Sequence, residues 1–170
     1  MRTNFLAIVF LFSGLVFTSC SKDNGNTPIV IPPIVNATQT TFKLDGVLIT
    51  ADETTANDYA NASAGGRYID VFVKKGGKQI LELHMPATTG TYPAQHAGFS
   101  MTTSWLTYQA NDGLNVPDDY YHSASGSMNL TTCDLVGNKL RGTFSFTGNN
   151  GTANKQITEG VLVVNTMTHD

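Results

Sequence analysis

From Thr41 onward apolar and polar residues alternate with a period of two, and this property constrains the fold more than any other. Residues 68–74 place Ile69, Val71 and Val73 between Tyr68, Asp70 and Phe72. Gly76-Gly77 then turns the chain, and residues 79–85 alternate Leu81, Leu83 and Met85 with Glu82 and His84. Two period-two runs joined by a glycine pair predict a hairpin. Residues 41–51 predict a second, with Phe42 and Leu44 on one face and Asp45-Gly46 at its turn. Residues 99–105 read as a strand with Phe99, Met101, Thr103 and Trp105 on one side. Three more strands follow: residues 123–132 with Met128 and Leu130, residues 139–147 with Leu140, Phe144 and Phe146, and residues 156–165 with Ile157, Val161 and Val163. Residues 86–93 read as an irregular connection. Residues 52–66, rich in Asn, Ala, Ser and Gly, read as a long loop with room for a helical turn near Ala56 to Ala60. No segment beyond the N-terminus sustains a helical period with caps. The expectation is an all-β domain, an antiparallel β-sandwich or small β-barrel of about eight strands over residues 40–170.

The N-terminus has a different character. Arg2 precedes an unbroken apolar run, residues 5–12, and residues 13–19 lead up to Cys20, ending in the small residues Thr18 and Ser19. This is the charged, apolar and small-residue layout of an export signal, and it is shorter than the ~20 residues a spanning helix needs. Thr18 and Ser19 before Cys20, with polar residues 21–26 after it, resemble a bacterial lipoprotein signal. That resemblance implies cleavage after residue 19 and acyl chains on Cys20 that hold the mature chain to a membrane. Ser21 resembles the sorting position of outer-membrane lipoproteins, with the periplasmic face and the cell surface both open. Residues 20–39 then form a tether in which Pro28, Pro32 and Pro33 resist helix and central strand. Ile29, Val30, Ile31, Ile34 and Val35 make it more apolar than a solvated spacer requires.

Two cysteines complete the export argument. With Cys20 committed to lipid, Cys133 has no partner for a disulfide and reads as a small apolar residue near a strand end. Ten bases against thirteen acids give a net charge of -3, so the chain lacks the basic footprint of a nucleic-acid binder. Attachment to anionic lipid by charge is not expected for the same reason, which leaves the acyl chains.

Beyond residue 40 the phrases Phe42-Lys43-Leu44-Asp45-Gly46, Gly90-Thr91-Tyr92, Ser125-Gly126-Ser127-Met128, residues 140–147 and Ile157-Thr158-Glu159-Gly160-Val161 resemble a group of small Bacteroidetes lipoproteins of unknown function, the DUF6252-like group. The resemblance implies an all-β lipoprotein domain and carries over no catalytic residue.

The sequence holds little that reads as reactive chemistry. His84, His96, His122 and His169 lack metal-ligand spacing, and Asn111, Asp112, Asn115, Asp118 and Asp119 do not follow a calcium-loop pattern, so neither a metal nor another cofactor is expected. Asp70 and Glu82 are outward acids on neighbouring strands. There is no nucleophile elbow, phosphate loop or dinucleotide fingerprint, and an enzyme is not expected. The positive lead is aromatic. Trp105, Tyr108, Tyr120 and Tyr121 surround a turn, residues 111–119, that carries Asn111 and Asp112. These residues suit a loop that binds a glycan, peptide or protein, and they suit equally a small core beneath that loop. The expected role is a non-catalytic binding module on the envelope, with a structural or assembly component as the alternative.

Overall fold

The computed structural model describes residues 37–61, 66–96, 102–111 and 119–170. The export signal, Cys20, the tether, Phe99, Met101 and Asp112 lie outside them. Among the described residues eleven strands form one sheet: β1 (Thr41–Leu44), β2 (Val47–Thr50), β3 (Glu53–Asn61), β4 (Gly66–Lys75), β5 (Lys78–Pro86), β6 (Gly90–Pro93), β7 (Trp105–Gln109), β8 (Tyr120–Asp134), β9 (Lys139–Asn149), β10 (Asn154–Val164) and β11 (Met167–His169). Ten follow the path β11-β3-β4-β5-β7-β8-β9-β10-β1-β2, and β6 pairs with β8. All neighbours are antiparallel except β11, which runs parallel to β3. The chain is thus all-β, as its periodicity predicts, with a mixed sheet in place of an antiparallel one.

The sheet curls on itself as a half-barrel. Phe42, Ile69, Leu83, Leu106, Leu140 and Leu162, from strands along its whole path, belong to one buried cluster. Two short links cross between its ends. Ala51 and Asp52 lead from β2 to β3, and Asn165 and Thr166 lead from β10 to β11. Thr40 Oγ1 donates to Val163 O (3.2 Å) and accepts from Val163 N (3.0 Å), fixing the chain's entry to β1 against β10. Arg141 bonds Val164 O and Asn165 Oδ1 (both 2.6 Å) and fixes the second link.

Both predicted hairpins form. Asp45 (φ 48°) and Gly46 (φ 86°) adopt the left-handed pair that a two-residue turn needs, and Gly76 and Gly77 do the same between β4 and β5. Four expectations need correction. Residues 53–61 form strand β3, not a loop or helical turn. Their inward positions are Ala56 and Asp58, too small and too polar to produce an apolar alternation. Residues 90–93 form β6 along β8. Of the strand expected over residues 99–105, residues 102–104 are described and precede the strand, with Ser104 in an isolated bridge to Ala94, and the strand itself begins at Trp105 and runs on to Gln109. On β10 the inward side chains are Ile157, Leu162 and Val164, while Val161 is half-buried. The register slips between Ile157 and Gly160, with Glu159 at φ 51°. One extra residue in a bulge moves every later side chain to the opposite face.

Gly126 allows the long β8 to lie against β9. Its φ is 137°, and a Cβ there would sit 2.2 Å from Ser145 O.

Candidate functional site

The sheet face turned away from the core gathers a row of aromatic and histidine rings. Strand alternation puts Ile69 and Val71 in the core and leaves Tyr68 and Asp70 outside. On β5 it buries Leu83 and Met85 and leaves Glu82 and His84 on the outer side. The same rule places Tyr59 on β3, Trp105 and Thr107 on β7, and Tyr120 and His122 on β8. Pairing then aligns them: Tyr59 opposes Tyr68, Asp70 opposes His84, His84 opposes Trp105, and Thr107 opposes His122.

The result is a continuous row of rings. Centroids are 5.0 Å apart for Tyr59 and Tyr68, 4.8 Å for Tyr68 and His84, and 5.2 Å for His84 and Trp105. His96 spans the next step, 5.0 Å from Trp105 and stacked at 4.1 Å on His122, and Tyr120 stacks on His122 at 6.3 Å. The backbone N–H of His96 donates to Ser123 O (2.8 Å), which holds its exposed ring over the row. From β3 to β8 the row crosses four inter-strand steps, about 19 Å.

Polar groups fix the row from below. Asp70 Oδ1 accepts from His84 Nδ1 at 2.5 Å, and His84 is 3% exposed. Thr107 Oγ1 and His122 Nδ1 lie 3.1 Å apart. Burial and the neighbouring His96 both push His122 below the usual imidazole value, so it favours the neutral ring. Burial and the charge of Asp70 raise the Glu82 carboxyl, with His84 opposing them. The Asp70–His84 pair resembles the base-and-orienter half of a catalytic triad, yet an imidazole this buried is out of reach of a substrate. Its geometry serves to lock a ring in place.

The predicted site residues divide between the two faces. Trp105 and Tyr120 belong to the outer row. Tyr108 and Tyr121 point inward, 6.0 Å apart, with Tyr121 buried and Tyr108 packed on the core. Asn111 Nδ2 donates to Asp119 Oδ1 (2.9 Å) and closes the base of the turn. Alternation explains the split, since Trp105 and Tyr108 are an odd number of residues apart. Tyr59, Tyr68, His96 and His122 were missed because only strand order brings them together.

A second cluster lies at the sheet edge. The fully buried Asp58 carboxylate accepts from Arg67 Nε (2.9 Å) and Nη2 (2.5 Å) and from His169 Nδ1 (2.9 Å), while His169 Nε2 lies 2.7 Å from Asn138 Oδ1. Burial pushes Asp58 up, but the hydrogen bonds and charges of Arg67 and His169 outweigh it and hold the carboxyl below its usual range. This cluster ties β11 to β3. Among the described residues no group of three or more His, Cys, Asp or Glu stands together to hold a metal.

Comparison with protein-family models, curated proteins and solved structures finds no match to this chain. The ring row therefore has to be interpreted from its own chemistry. Cys133 is a free thiol, half-buried near the end of β8, and burial with the charges of Asp58 and Asp134 raises its pKa. It suits a packing role better than a nucleophile's.

Proposed function

We infer that this chain is a lipid-anchored protein of the bacterial outer membrane whose strand-built body is a non-catalytic binding module. The observation that carries the reading is the ring row across β3, β4, β5, β7 and β8. Rings that lie partly exposed on a rigid sheet, held by buried polar partners, are pre-organised for recognition. The anchor rests on the sequence around Cys20. Trp105 is the only tryptophan in the chain, so its emission reports on the row alone. Titration of the full chain with glycans and with peptides tests the reading: a saturable change in emission is expected with one of them, and invariance to both rejects it.

An assembly role has its own support at the other end of the sheet. Among the described residues β2 ends the sheet and exposes Val47 (64%) and Leu48 (63%), and residues 47–50 carry no charge or proline to discourage strand pairing.

A further inference from the structure

We propose that the ring row takes an uncharged glycan chain laid across the strands, a proposal that rests on the binding reading above. Three features select this ligand.

First, the rings stand in the middle of the sheet. β5 is paired with β4 and β7, and β7 with β5 and β8, so their backbone N–H and C=O groups are already used. A peptide adding as a strand needs a free edge. Recognition here has to come from side chains alone, which suits a ligand that offers C–H faces to rings and hydroxyls to polar groups.

Second, the charge of the face excludes anions. Of the cations of β4, Lys74 and Lys75 are paired with the carboxylates of Glu53 and Asp52, and Arg67 lies on the other side of the strand, paired with the buried Asp58. The row itself adds the acids Asp70 and Glu82. Nucleic acid, acidic polysaccharide and phospholipid headgroups find no unpaired cation of β4 to bind there.

Third, half-buried polar groups interrupt the apolar surface, with Asp70 at one level and Glu82 and His122 at the next. A purely apolar ligand would strip water from these groups without replacing their hydrogen bonds. Sugar hydroxyls replace them.

The test uses the full chain in detergent, run on native gels containing soluble starch, mixed-linkage β-glucan, xylan or galactomannan. At least one polysaccharide should retard the wild type. Trp105→Ala should abolish the retardation, and Tyr59→Ala, at the end of the row, should weaken affinity by about tenfold. Both variants are first checked for a cooperative melt. Should Trp105→Ala lack one, His96→Ala replaces it, because the His96 side chain is exposed. Equal retardation of the row variants and the wild type overturns the location. Absence of retardation by all four polysaccharides overturns the glycan assignment. Trp105 emission in the presence of tryptic casein peptides then separates the two readings: a response leaves a binding face with a different ligand, and no response removes the binding reading as well.

Discussion

Asp70 and His84 face each other across β4 and β5, with the carboxylate 2.5 Å from Nδ1 of an imidazole buried between Tyr68 and Trp105. Removing the acceptor leaves a buried N–H without its charged partner. Asp70→Ala is expected to lower stability by about 1.5–3 kcal/mol. It should also shift Trp105 emission, because the ring beside it loses its anchor. Chemical denaturation followed by fluorescence measures both.

Glu82 shows the opposite sign. Its folded pKa is raised above the usual 4.5, so the folded state holds the proton more tightly than the unfolded chain does. Stability contributed by protonated Glu82 is present below that value and is lost as pH rises toward the folded pKa. Glu82→Gln should therefore melt higher than the wild type at pH 7. The gap should close in a melting series carried below pH 4.

Gly126 and Gly151 separate close approach from backbone strain. Both have positive φ, but a Cβ at Gly151 meets nothing within 4 Å, whereas at Gly126 it meets the β9 backbone. Gly151→Ala should cost about 1 kcal/mol. Gly126→Ala should cost about 3 kcal/mol or more, since β8 and β9 have to move apart. Urea midpoints of the two variants compare them directly.

At Asp58 the folded carboxyl is held below its usual 3.8, so its contribution is present above that value and is lost as pH falls through the folded pKa. Asp58→Asn is expected to destabilise the chain by about 1–3 kcal/mol at neutral pH and much less in strong acid. Hydrogen exchange should show the loss first in β11, whose three residues pair among the described strands with β3 alone.

Cys20→Ala tests the anchor. The variant should leave the membrane fraction of the producing cells, and its N-terminus should carry no acyl mass. Full membrane retention would overturn the lipoprotein reading.

The strands with branched inward side chains were legible in the sequence. Ile69, Val71 and Val73 face Leu81, Leu83 and Met85 across a glycine turn, and each local preference agrees with the pairing found. β3 was not legible. Its inward face is Ala56 and an Asp58 whose charge is neutralised by Arg67 and His169, partners 9 and 111 residues away. The phase of β10 was misread because a bulge at Glu159 leaves no mark in the hydropathy pattern. The candidate site was half legible. Trp105 and Tyr120 belong to the row, but Tyr59, Tyr68 and His84 join it only through the order of strands in the sheet.

The lock between Thr40 and Val163 has a consequence for biogenesis. Its partners are 123 residues apart, and β1 finds its second neighbour only in β10. A polypeptide delivered N-terminus first cannot seat its opening hairpin until nearly all of it has arrived, which slows productive folding. Such late closure leaves the opening hairpin without its partner strand until synthesis is nearly complete, an interval in which its apolar side chains stand unburied.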